Sequence, residues 1–261
     1  MRSFQLIIAL MVSTASVVTA QDPASGWMAY AVGKMPDGYD RITKLQMTWK
    51  VGEDAKSSRA FYSPWFGMDP DDNLNLIQPV NPWGGSSWSM YTEYFQWSPT
   101  SNSNSRSYSV AAGQTLQGLL EYNEENDEYL LSQTILETGR TSTQTVSCQS
   151  GKKYTLPYIV YEKTWPCADY PPDEAVVFYD IKAECDGTDC TDDIEWEANV
   201  KDANCEMSAN ILNSTTISIT WDTSAASKYD ALSHEELREL NAGGWGAKFA
   251  AADAALDAAV A

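Results

Sequence analysis

Ile42-Thr43-Lys44-Leu45-Gln46-Met47-Thr48-Trp49 alternates apolar and polar side chains with a period of two, the pattern of a strand with one buried face. Tyr91-Thr92-Glu93-Tyr94-Phe95-Gln96-Trp97 and Ser107-Tyr108-Ser109-Val110 repeat it, as do stretches 129–135, 158–162, 175–181, 194–200 and 217–221. Between them stand turn signals: Gly52, the cluster 99–105, Gly113, 123–127, Gly139, Gly151 and Pro171-Pro172. Almost no helical period intervenes, so the pattern predicts an all-β protein, an antiparallel sandwich or barrel rather than alternating α and β units. The ten tryptophans and fourteen tyrosines suit that architecture, and aromatics lining a concave sheet would hold an extended polymer, peptide or sugar.

The two ends read differently. Residues 1–20 carry one charge, Arg2, then an apolar stretch at 4–12 and small residues at Val18 and Ala20. This is the layout of a secretory signal peptide cleaved after Ala20, and the apolar run is about half the roughly 20 residues a membrane span needs. A secreted, extracellular product without a membrane anchor is expected. At the other end, Ser233-His234-Glu235-Glu236 fits a capping box opening a helix with Leu237 and Leu240, stopped by Gly243-Gly244. Residues 247–261 are alanine-rich and suggest a weak helix or a frayed end. The simplest partition is a signal peptide (1–20), one β-sandwich domain (21–225) and a helical tail (226–261).

Acidic residues outnumber basic ones 36 to 17, giving a net charge of −19 that repels phosphate backbones and argues against nucleic acid as a partner. The single histidine, His234, reads as an exposed helix-start residue, and its solitude removes Ser-His-Asp and Cys-His designs. Any catalysis must then rest on carboxylates and amides. The cysteines Cys148, Cys167, Cys185, Cys190 and Cys205 would pair in an oxidising compartment. Cys185 and Cys190 enclose the tight turn Asp-Gly-Thr-Asp and are the first expected bridge; Cys148 with Cys167 is the second, leaving Cys205 as the odd thiol. Asn213-Ser214-Thr215 is the one glycosylation sequon. Asp69, Asp71 and Asn73 begin like a calcium loop, but Leu74 stands at the glycine position and Val80 where a bidentate Glu belongs, so a polar turn without metal is expected.

Three clusters carry possible chemistry: Trp65-Phe66-Gly67-Met68-Asp69 with Leu76-Ile77-Gln78; Tyr91-Thr92-Glu93-Tyr94-Phe95; and Tyr158-Ile159-Val160-Tyr161-Glu162-Lys163. Gln78 lies in an apolar strand, where an amide needs partners or a purpose. The period of two puts Tyr91, Glu93 and Phe95 on one strand face. Glu162 ends an apolar strand and would suit proton transfer if buried, or form an ordinary pair with Lys163.

Taken in order, these fragments resemble the eqolisin-type glutamic endopeptidases, secreted acid proteases with a Gln and Glu dyad on a concanavalin-like β-sandwich. The resemblance starts at Gly26-Trp27-Met28-Ala29-Tyr30-Ala31-Val32 and runs through Thr48-Trp49-Lys50-Val51 and Val110-Ala111-Ala112-Gly113-Gln114 to about residue 185. The sequence departs from the family pattern in three places: an extra residue falls before Glu162, Pro79 follows Gln78, and Tyr91 stands in for a tryptophan. The resemblance implies Gln78 and Glu162 as the dyad, Asp69 and Glu93 in support, and Trp65 and Tyr91 near the substrate. It further implies a polypeptide substrate, no cofactor and a monomer. Glu162 would deprotonate the attacking water and Gln78 would donate to the oxyanion. Two other readings remain open: a polysaccharide-binding or polysaccharide-degrading sandwich using Glu93 and Glu162, and a non-catalytic interaction protein on the same fold.

Overall fold

A computed structural model describes residues 26–55, 60–97 and 99–241. The signal peptide and the alanine-rich end expected above lie outside these residues. In chain order the strands are β1 (Trp27–Lys34), β2 (Ile42–Lys50), β3 (Phe61–Pro70), β4 (Asn75–Val80), β5 (Trp83–Gly84), β6 (Trp88–Trp97), β7 (Thr100–Asn104), β8 (Tyr108–Val110) and β9 (Thr115–Asn123). They continue as β10 (Glu128–Ile135), β11 (Arg140–Ser147), β12 (Tyr154–Glu162), β13 (Ala175–Cys185), β14 (Thr188–Asp189), β15 (Glu195–Val200), β16 (Ser208–Asn213) and β17 (Thr216–Thr220). An α-helix, α1 (His234–Leu240), follows among the described residues.

The strands form two antiparallel sheets, and the chain is an all-β sandwich. The first runs β15-β1-β12-β3-β4-β6-β5, with β7 and β8 also on β6; the second runs β11-β10-β9-β2-β13-β17-β16, with β14 on β13. Strand parity decides what each sheet presents. Phe66, Met68, Ile77, Ile159 and Tyr161 join Leu45, Met47, Trp49 and Leu131 in the core between the sheets. Their alternates on the first sheet, Trp65, Leu76, Val80, Tyr158 and Val160, form a second apolar cluster with Trp27 and Tyr91 on the opposite face. This explains why β3 and β4 are buried at every position, the polar Ser63, Asp69, Asn75 and Gln78 included.

Several expectations need correction. The polar stretch 99–105 is not only a turn: Thr100–Asn104 pairs with β6 as strand β7. Cys167 bonds Cys205, with Cα atoms 5.2 Å apart, and Cys148 is the unpaired cysteine; Cys185–Cys190 pairs as expected. The reason is tertiary: the Asn204 amide donates to the Trp165 carbonyl and brings the turn at Cys205 against the segment leaving β12. Cys148 instead lies near Asp127 and Arg41, and burial, followed by the Asp127 charge, pushes its thiol up to about 12. The capping box of α1 is present at Ser233 and Glu236, but His234 is not simply exposed; it is half-buried with its ring 5.2 Å from that of Trp165. Asn213 sits exposed at the β16–β17 hairpin.

One acid in this framework yields a pH prediction. Burial raises the Asp173 carboxyl above its ordinary 3.8, against the lowering effect of the hydrogen bond from the Glu53 amide. A raised folded value means its stabilising contribution is complete below 3.8 and is lost as pH rises through the folded value. Asp173→Asn is therefore expected to leave the melting temperature unchanged near pH 3 and to raise it at pH 7. A lower value at pH 7 would show that the bond to Glu53 outweighs burial.

Candidate active site

The antiparallel register of the first sheet arranges its outer face in rungs, because directly paired residues point the same way. Tyr158 pairs Gly67, and Gln78 pairs Glu93; Gly67 abuts Gln78, since a Cβ built on the glycine would lie 3.1 Å from the Gln78 Cβ. One rung thus reads Tyr158, Gly67, Gln78, Glu93. The next reads Tyr30, Val160, Trp65, Val80, Tyr91, and the one beyond it holds Trp27, Glu162 and Ser63. On the other side of the Gln78 rung, Leu156, Asp69, Leu76 and Phe95 follow. A Cβ at position 67 would also lie 2.6 Å from the Ile77 carbonyl oxygen, so only glycine lets β3 and β4 approach this closely beside Gln78.

All six candidate residues, Trp65, Asp69, Gln78, Tyr91, Glu93 and Glu162, therefore share this face. Their contacts divide them into two groups. At one end, the Gln78 amide donates to Glu93 Oε2 at 3.1 Å, and Asn102 on β7 donates to Glu93 Oε1. Gln78 and Glu93 are each 1% exposed, and the Gln78 carbonyl oxygen meets no hydrogen-bond partner among the described residues. Asp69, on the adjacent rung, accepts the Asn75 backbone N–H at 3.2 Å. At the other end, Glu162 (5% exposed) accepts the Trp65 indole N–H at 3.1 Å and meets Lys163 Nζ (2% exposed) at 2.6 Å. This is a buried ion pair and not the surface pair considered above.

Gln78 and Glu162 are not in contact. Glu162 lies four residues along β12 from Tyr158, the residue on the Gln78 rung, about 13 Å at roughly 3.3 Å per residue. The expected dyad is thus split: the carboxylate on Gln78 comes from β6, and Tyr158 occupies the β12 position on that rung. Between the two ends, Trp27 packs edge-on against Trp65 and Tyr158, with ring centres 5.1 and 5.3 Å apart. Tyr91 feels both ends: burial, then the Glu93 and Glu162 charges, hold its phenol well above 10, so it remains a hydroxyl donor.

Sequence reasoning did not single out Asn102 or Tyr158. Asn102 sits in a serine- and asparagine-rich stretch that imitates a loop, and the importance of Tyr158 depends on strand register. The carboxylates of the calcium-like loop diverge: Asp71 accepts the Thr155 hydroxyl and Asp72 pairs with Lys152 at 2.9 Å.

No protein-family model matches the chain, and no curated protein sequence matches it. Solved structures do. Scytalido-glutamic peptidase, crystallised with a peptide-based transition-state analogue, superposes with a TM-score of 0.57 at 19% identity, covering 76% of this chain and 98% of that one. SCP-B, a member of the eqolisin family in complex with the tripeptide Ala-Ile-His, superposes with a TM-score of 0.54 at 18% identity over the same shares. What these peptidases share with it is the fold: the chain has the eqolisin-like fold.

Proposed function

We propose that this protein is a secreted acid endopeptidase that lays an extended polypeptide across the outer face of the first sheet and cleaves it at the Gln78–Glu93 pair. The observation that carries the reading is the hydrogen bond from the Gln78 amide to Glu93, on the face that also holds Trp65 and Tyr91. In this scheme Glu93 takes a proton from water as its oxygen bonds to the peptide carbonyl carbon. The second Gln78 N–H and the protonated Tyr91 hydroxyl are the donors available to the oxyanion. The proton then passes to the amine nitrogen as the C–N bond breaks. Asn102 holds Glu93 in place, and Glu162, engaged by Lys163 and Trp65, positions the far end of the groove. An acidic medium suits the chain, because protonating part of its 36 carboxylates relieves the repulsion of a −19 net charge.

The test is to secrete wild type, Gln78→Ala, Glu93→Gln and Glu162→Gln and to assay each on denatured protein and on polysaccharides between pH 3 and 7. Protein cleavage in acid is expected to fall about a hundredfold in the Gln78 and Glu93 variants, the effect of losing one oxyanion donor or the base. Glu162→Gln should retain most of it. Loss in Glu162→Gln alone would return the base to β12, sugar cleavage would favour the polysaccharide reading, and folded but inert wild type would leave a binding protein.

A further inference from the structure

Strand β16, Ser-Ala-Asn-Ile-Leu-Asn, ends the second sheet, with β17 paired on one side and no strand paired on the other among the described residues. Sheet edges are commonly blunted by charged side chains or proline, and β16 has neither. Ser208 and Ala209 are half-buried, but residues 210–213 are exposed. Ile211 pairs Ile217 and Asn213 pairs Thr216, so Leu212 is the extra residue of a bulge. It is 61% exposed, the most of any large apolar residue among the described ones, and Ile211 beside it is 37% exposed.

This apolar end of the strand runs directly into the sequon Asn213-Ser214-Thr215. Asn213 Oδ1 accepts both the Thr215 N–H and the Thr215 hydroxyl at 2.9 Å, the Ser214 hydroxyl donates to Asp192, and the Thr215 carbonyl accepts the Ile181 N–H at 3.2 Å. The turn is therefore held in place with Asn213 exposed. Both bonds to the Asn213 side chain engage its carbonyl oxygen, and none among the described residues engages Nδ2, the atom that would carry a sugar.

We propose that Asn213 carries an N-linked glycan and that the glycan covers Ile211 and Leu212, shielding the uncharged end of β16 from a second copy of the chain. The donor is a lipid-diphosphate-linked oligosaccharide of the secretory pathway. Asn213 Nδ2 bonds its anomeric carbon as the bond to the diphosphate breaks; the lipid diphosphate leaves, and the Nδ2 proton passes to a base of the transferring enzyme. The sugars start one residue from Leu212, and a glycan is bulky and solubilising. Acid makes the shield matter most. The −19 net charge that keeps copies apart declines as carboxylates take up protons at about pH 4, and β16 has no charge of its own to replace it. The inference rests on the secretory route of the proposed function and not on its peptidase chemistry.

The full chain, expressed in a cell that N-glycosylates its secreted proteins, tests both parts. An endoglycosidase that trims N-glycans to one sugar should lower the mass of wild type and Thr215→Ser and leave Asn213→Gln and Thr215→Ala unchanged. Wild type whose mass does not fall, or that stays in the cytosol, overturns the modification. Light scattering at about pH 4 should show self-association at least about fivefold faster in Asn213→Gln and in trimmed wild type than in glycosylated wild type, and Asn213→Gln/Leu212→Lys should return to the glycosylated rate. Equal rates in glycosylated and trimmed wild type, or no rescue by the Leu212→Lys change, overturn the shielding. Acid cleavage of denatured protein by the same samples bears on the peptidase reading alone, so the two readings fail separately.

Discussion

Alanine at both Cys167 and Cys205 is expected to lower stability by about 4 kcal/mol, against about 2 kcal/mol for the same change at Cys185 and Cys190. The difference follows from loop length: the first bridge closes a separation of 38 residues and the second one of 5, and the entropy removed from the unfolded chain grows with the logarithm of the loop. The longer bridge also holds the segment that leaves β12. Cys167 follows Trp165, whose carbonyl accepts the Asn204 amide and whose indole donates to the Phe61 carbonyl. Loss of this bridge should therefore loosen Glu162 and Lys163, whereas loss of the other should leave the groove intact. Urea unfolding of the two double variants measures both values. Equal losses would mean that the unfolded chain is already constrained elsewhere.

Lys163→Met is expected to cost about 3–5 kcal/mol at pH 7. The substitution leaves the Glu162 carboxylate in a buried site with only the Trp65 indole as its remaining described partner, and an uncompensated buried charge is among the most destabilising single changes. Removing the charge from both partners, in Lys163→Met/Glu162→Gln, should recover most of the loss, because the desolvation cost disappears with the ion pair. Denaturant midpoints at pH 7 check both statements. A single-variant loss below about 1 kcal/mol would show that water solvates the pair, as at a surface bridge.

The sandwich was legible because strand alternation needs only local sequence: 42–49 and 91–97 announce themselves by period, and the capping box at Ser233 does so by spacing. The gathering of Trp65, Gln78, Tyr91, Glu93 and Glu162 on one face was legible to the same extent, through parity and the family resemblance. Which of them touch was not. A carboxylate from β12 or from β6 could serve Gln78 equally well on composition, and the choice is made by register across β12, β3, β4 and β6, where a shift of two residues keeps the face but changes the neighbour. The second disulfide escaped for a related reason. Cys148 and Cys167 are nearer in sequence, yet the contact is made by a turn at Cys205 folding onto Trp165. The burial of Lys163 was not legible either, because nothing local signals that the chain at Gly26, just before β1, packs against it: the Lys163 N–H donates to the Gly26 carbonyl at 2.7 Å.

Side-chain amide NMR of Gln78 through an acid titration tests the central claim most directly. If Glu93 is its partner, the Gln78 Nε2 resonances move as the carboxylate protonates, the movement vanishes in Glu93→Gln, and it persists unchanged in Glu162→Gln. Movement that survives Glu93→Gln and disappears with Glu162→Gln would contradict the account, returning Gln78 to a dyad across the groove with β12.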